Sequence, residues 1–157
     1  MASPNTTFTS GQILTAAQVN NLPFGLCGLQ TITTQFATSA THTTFQDTGA
    51  TLTITEVSGR RYKICSKMNV YPPGGLQGVN VQILRGASAI NRGDFPPAAM
   101  DTGVSFPTII EYVYTSVASG SATFKVQIAA ASANTQVADF GSSTYPRQFW
   151  IEDLGPA

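Results

Sequence analysis

The chain has 157 residues with eight basic and eight acidic side chains, no net charge, and only 10% charged residues against 42% hydrophobic. A neutral chain carries no long-range field toward phosphates or anionic lipid, so neither nucleic acid nor a membrane surface is an expected partner. One histidine and two cysteines cannot by themselves build a typical zinc site. No metal or cofactor is therefore expected, although an oxygen-ligand calcium site stays open in principle.

Ordinary domains carry about 25% charged residues, and here threonine, serine, asparagine and glutamine take the place of the missing ions. A surface so poor in charge predicts oligomerisation or docking, because a free monomer would sit near its solubility limit. No stretch reaches the roughly 18 apolar residues of a membrane span, and residues 1–10 lack a signal-peptide layout, so the expectation is a soluble chain made in a cytoplasm, without membrane insertion. Cys27 and Cys65 have neither redox nor zinc spacing and are expected to be two buried free thiols, with a disulfide the alternative.

In chain order, residues 1–28 form an arm that differs from the rest. Its first ten residues are polar, and residues 11–22 read GQILTAAQVNNL. Thr15 is a good N-cap with Gln18 completing a capping box, and Leu14 and Val19 are spaced as a hydrophobic staple, which predicts a helix over about 15–22. Asn20, Asn21 and Pro23 end it, and Phe24-Gly25-Leu26 leads away as a link. Two turns of helix are marginal alone in water and need a surface to lie on.

From Leu29 the period becomes two, which sets the second unit at 29–157. Ala50, Leu52 and Ile54 alternate with Thr51, Thr53 and Thr55, and Tyr62, Ile64, Met68 and Val70 alternate with Arg61, Lys63, Lys67 and Asn69. Ser58-Gly59 between the two runs predicts a hairpin. Further strands are expected at Val79–Ile83, Phe124–Ile128, Val137–Phe140 and Gln148–Leu154, about nine in all. Strands at this spacing with turn residues between them predict an all-β fold, a β-sandwich of jelly-roll or Greek-key type, behind a short arm with one small helix.

Residues 108–117 are apolar on both faces, with Ile109, Val113 and Val117 on one and Ile110, Tyr112 and Tyr114 on the other. Either a loop of the same chain covers one face or a second subunit does. Tyrosine enrichment and charge depletion favour Ile110, Tyr112 and Tyr114, with Trp150, as an oligomer interface. Glu111 then needs a partner among Lys63, Lys67 and Lys125.

The sequence holds no nucleophile elbow, phosphate loop, His-Glu-x-x-His or Cys-x-x-Cys. His42 reads as a lone surface histidine. Glu152 and Asp153 are adjacent in a strand, point to opposite faces and cannot act as an acid–base pair, so they read as strand-end solvation. No enzyme is expected. Arg61, Lys63 and Lys67 share a strand face that reads as solvated. Tyr71, Phe95, Tyr145 and Trp150 could form a sugar-stacking platform, with core or interface packing the default for Trp150.

Residues 8–20, FTSGQILTAAQVN, resemble an N-terminal signature of small virion proteins and tail or fibre subunits of tailed bacteriophages. Val57-Ser58-Gly59-Arg60-Arg61-Tyr62-Lys63-Ile64 and the closing FWIEDLGPA of residues 149–157 are similar to the first hairpin and last strand of β-sandwich knobs in phages of actinobacteria, among them minor tail proteins. The resemblance implies a virion protein assembled in a host cytoplasm, a homotrimeric knob whose partners are its own copies and a major capsid or tail protein. Phe8, Ile13, Leu14, Thr15, Gln18, Val19, Leu22 and Phe24 would dock the arm onto the particle. Many such proteins place a stalk or enzymatic region before the knob, whereas about 28 residues precede the first expected strand here, which favours capsid decoration. The alternative is a minor tail or fibre role with a knob that binds a host receptor or glycan.

Overall fold

The computed structural model describes residues 13, 16, 22–37, 44–71, 78–95, 106–131, 138–139 and 144–157. They form the β-sandwich expected from the sequence. The strands are β1 (Gly25–Ile32), β2 (Phe36–Ala37), β3 (Gln46–Glu56), β4 (Arg60–Tyr71), β5 (Val79–Arg85), β6 (Ser88–Phe95), β7 (Phe106–Thr115), β8 (Gly120–Ala130), β9 (Ala138–Asp139) and β10 (Arg147–Pro156). One sheet runs β1-β10-β4-β7, with the two-residue strands β2 and β9 continuing the lines of β1 and β10, and the other runs β3-β8-β5-β6. All pairings are antiparallel.

The pairings are nested. β1 pairs with β10, β3 with β8, β4 with β7, and β5 with β6. The chain is thus one long hairpin folded at β5–β6 and rolled into two sheets, which is the jelly-roll alternative of the expected fold. The turn at its apex is Gly86-Ala87, where Gly86 has a φ of 60° that favours glycine.

Alternation places the core as the sequence reading expects. Ile54, Tyr62, Ile64, Met68, Val70, Val81, Ile83, Phe124, Val126 and Ile128 are buried between the sheets. The outward threonines of β3 stay exposed, and Thr53 hydrogen-bonds Thr123 across to β8 at 2.9 Å. Phe149 and Ile151 point inward from β10 and Trp150 outward.

Three expectations are corrected. Ser58-Gly59 does not close a hairpin, because β3 and β4 belong to different sheets. The turn is a corner between layers, with Gly59 at a φ of 80°. Its free backbone groups bond the second such corner, after β7: Gly59 N donates to Ser116 O at 2.8 Å, and Ser116 N to Arg60 O at 2.9 Å. Next, the first strand starts at Gly25 rather than Leu29. The Gly25 that suggested a link opens a strand at the sheet edge, which packs with Gly28 over Leu52 and Ile54. Finally, Asp153 does not solvate a strand end. Its carboxylate is buried and takes two hydrogen bonds from Arg60, Nε at 2.7 Å and Nη2 at 2.8 Å, while Gly155 N donates to it at 2.7 Å.

Strand direction gives the sandwich two unlike ends. The corners 57–59, 86–87 and 116–119 lie at one end, together with the start of β1 and the end of β10. The connections 38–45, 72–78, 96–105, 131–137 and 140–146 all join strands at the other. At the cornered end a second buried charge, Glu56, accepts from Arg85 Nη2 at 2.7 Å and from Ser116 Oγ at 2.9 Å, which fastens β3, β5 and the β7–β8 corner together.

Removing one member of a desolvated ion pair leaves the other charge buried and unmatched. Asp153→Ala is therefore expected to destabilise the fold by about 3–5 kcal/mol, read as a fall in the urea unfolding midpoint. An exposed pair such as Arg92–Asp94 should contribute no more than about 1 kcal/mol by the same measurement.

Candidate docking surface

The Arg60–Asp153 pair fixes the place where the arm meets the sandwich. Besides the carboxylate, Arg60 Nη2 donates to the Leu22 carbonyl at 2.6 Å, and the guanidinium lies 4.2 Å from the centre of the Phe24 ring. A planar cation can bond in its plane and stack on its face at once, so one side chain joins β4, β10 and the segment leading into β1. Leu22 and Phe24, both expected at the docking surface, remain exposed around this clasp. Ile13 is also exposed. Phe8, Leu14, Thr15, Gln18 and Val19, and with them the expected helix apart from Ala16 and Leu22, lie outside the described residues.

The outward face of the β1-β10-β4-β7 sheet is the second feature. The registers lay its side chains out in rows across four strands: Leu26, Glu152, Lys63 and Val113 in one, and Leu29, Trp150, Cys65 and Glu111 in the next. Lys63 Nζ lies 3.1 Å from Glu111 Oε2, and Trp150 Nε1 donates to Glu152 Oε1 at 3.0 Å. The hydrogen bond and charge of Glu111 raise the pKa of Lys63, which stays protonated. Leu26, Leu29, Ile109 and Val113 flank this polar centre at 49–59% exposure. Apolar side chains grouped like this mark interaction sites more often than singly scattered ones do.

Two of the four expected interface residues are elsewhere. Ile110 is buried in the chain's own core, and Tyr114 packs against that core, edge-on to Phe124 at 6.2 Å between ring centroids. Residues 108–117 look two-faced because Ile110 and Tyr114 face the opposite sheet, which leaves Ile109, Glu111 and Val113 as the outward set. Tyr112 is 37% exposed and Trp150 half-buried. Glu111 takes Lys63, one of its three expected partners, and is outward and exposed.

The four aromatics do not form one platform. Phe95 packs on the core, Trp150 lies on the outer sheet face, and Tyr145 stands exposed at the end of the long connections. The side chain of Tyr71, like His42, lies outside the described residues. Among the described residues no group of three or more His, Cys, Asp or Glu side chains could hold a metal ion.

Both thiols are free, but only Cys65 is buried. Cys27 is exposed because β1 is the sheet edge and its ladder slips by one residue between Leu26 and Gly28. Cys65 points outward from a central strand yet is covered by its neighbours, and burial pushes its pKa up to about 11.

The topology defines the class: an antiparallel jelly roll with its N-terminal entry at the cornered end. No family model matches the chain, and no curated protein sequence is similar to it. Among solved structures it is similar to the insecticidal delta-endotoxin Cry8Ea1 from Bacillus thuringiensis, at 11% identity and a TM-score of 0.42 over 75% of this chain and 19% of that one. It is also similar to VP2 of the infectious bursal disease virus subviral particle, at 9% identity and a TM-score of 0.46 over 85% of this chain and 38% of that one. A family 35 carbohydrate binding module from an environmental isolate is similar at 18% identity and a TM-score of 0.32, over 85% of this chain and 91% of that one. The chain spans less than half the length of the endotoxin and of the VP2 chain.

A thiol reagent at about pH 8 should modify Cys27 in the native protein and reach Cys65 only on unfolding; mass mapping of the labelled peptides reads this directly. The fold holds the Cys65 proton past the ordinary thiol value of 9.0. That contribution is complete below the unfolded pKa and is lost as pH rises through the folded one. Unfolding curves of Cys65→Ala should therefore show a smaller fall in stability between about pH 9 and 11 than those of the parent.

Proposed function

We propose that the chain is an accessory structural protein of a bacteriophage particle, a non-enzymatic surface knob anchored through its N-terminal arm, with capsid decoration the leading role. The observation that carries this reading is the polarity of the fold. Arm entry and all three tight corners share one end, and the five long connections share the other. A subunit built this way can dock by the cornered end and present its loops outward. The resemblance of residues 8–20 to a virion signature supports the same orientation, because those residues lead directly to the Arg60 clasp.

The docking energy comes from apolar burial. Phe8, Ile13, Leu14, Val19, Leu22 and Phe24 can each contribute roughly 1.5–3 kcal/mol if fully buried, enough to offset the ordering of a short segment. Effective concentration multiplies that hold when several arms belong to one unit. Three copies is the expectation from the resemblance; the multiplied hold needs only more than one.

Deleting residues 2–21 keeps Leu22, the acceptor of the Arg60 bond, and so should leave a protein that melts like the parent but no longer co-sediments with particles lacking it. Undiminished particle binding by the truncated protein overturns the reading. The second reading, a receptor- or glycan-binding knob on a tail, is favoured by Tyr145, exposed at the end of the sandwich opposite the corners. On a glycan array that reading expects retention of specific sugars by the parent and its loss in Tyr145→Ala, while a purely structural subunit retains none.

A further inference from the structure

We propose that the outward face of the β1-β10-β4-β7 sheet is a two-fold contact between copies of this chain, with the symmetry axis running along the strands between β10 and β4. The proposal rests on the arm-anchored reading and says how a unit acquires more than one arm. Its basis is the charge and apolar pattern of the face. A two-fold axis in that position lays β10 of one copy over β4 of the other and β1 over β7, and it leaves the rows at the same height. In the first row, Lys63 then meets Glu152 of the second copy and Leu26 meets Val113, each contact occurring twice by symmetry. In the next row Trp150 comes over Cys65. Leu29 comes over Glu111, whose carboxylate is turned onto Lys63. Basic side chains lie on β4, while the carboxylates lie on β10 and β7, so a shift of one strand matches opposite charges and the unshifted stack would set like on like.

The direction of the axis has a consequence for function. Rotation about a line parallel to the strands keeps the cornered ends of both copies together. The Leu22 clasps of both copies then lie toward the same surface, and the strand ends opposite the corners lie away from it. An axis across the strands would send the arms in opposite directions and would exchange the rows, removing the Lys63–Glu152 match.

Four strands at about 4.8 Å spacing and two to three rows of outward side chains make a face on the order of 400 Å² per copy, below the roughly 800 Å² of a standard stable interface. The pairing is accordingly weak in solution and concentration-dependent, and shared attachment to a particle would reinforce it.

The test is sedimentation equilibrium of the full chain over a concentration series up to about 1 mM, read together with fluorescence of Trp150, the single tryptophan. The expected result is a monomer–dimer equilibrium, with Trp150 emission shifting to the blue as the dimer forms. Val113→Asp changes an exposed residue, so thermal unfolding should stay within a degree or two of the parent, while self-association weakens about tenfold or more. Glu152→Lys alone should weaken association, and Lys63→Glu combined with Glu152→Lys should restore it. A chain that stays monomeric throughout, a three-copy mass, or a dimer insensitive to Val113→Asp and to the charge swap overturns this contact. Those results leave the arm-deletion result untouched. A dimer of the expected behaviour whose arm deletion still binds particles instead overturns the anchoring reading and spares the contact.

Discussion

The arrangement of this protein depends on one desolvated ion pair. Arg60 follows the glycine corner that carries the chain from one sheet to the other, and Asp153 lies near the end of the last strand. Burying both charges is costly, and the cost is offset because the guanidinium is held by two carboxylate oxygens, the Leu22 carbonyl and the face of Phe24. The pair therefore does more than add stability. It specifies where the first and last strands meet and holds the segment that leads into β1, which marks one end of the sandwich. Glu56, held by Arg85 and Ser116, does the same for the neighbouring corner.

What the sequence made legible follows from periodicity. The runs at Ala50–Ile54 and Tyr62–Val70 have one apolar face each, so alternation identifies both strand and orientation, and the sandwich follows from their number and spacing. Alternation does not identify which sheet a strand joins. Ser58-Gly59 is as good a hairpin turn as a corner, and the choice was made by β8 and β10 capturing β3 and β4 separately. β6 is not legible for the opposite reason: Ser88–Phe95 is an edge strand with a polar sequence, so it shows little alternation, and the Gly86-Ala87 turn ahead of it lacks the usual Asn-Gly or Asp-Gly signature.

The candidate surface was half legible. An apolar pattern on both sides of residues 108–117 shows that the outward row is less polar than on the other strands, but sequence alone cannot say which side the opposite sheet covers. The aromatic side was the natural choice for an interface, and it is the side that fills the core, since Tyr114 meets Phe124 and Ile110 meets the sandwich interior. Aliphatic Ile109 and Val113 were left outside. The buried roles of Arg60 and Asp153 were hidden for a related reason: each sits beside a residue of like charge, Arg61 and Glu152, and an adjacent pair of like charges reads as solvated when in a strand only one of the two can be.

That last point changes what the low charge means. Glu56, Arg60, Arg147 and Asp153 are all buried, so the surface is poorer in ions than a 10% charged composition already suggests. The interior charges fasten corners and strand ends, and they cannot keep the protein apart from its neighbours. Outward threonines on β3 supply hydration on one sheet, with Thr53 and Thr123 satisfying each other across the ladder. The opposite sheet has no such threonine row along β4 or β7; it carries alternating ions in the middle and aliphatic side chains toward both edges. The two sheets share the same interior requirement but have unlike exteriors, a hydroxyl row on one and a more apolar face on the other. A neutral chain can hold that division because it has no net charge to repel a second copy.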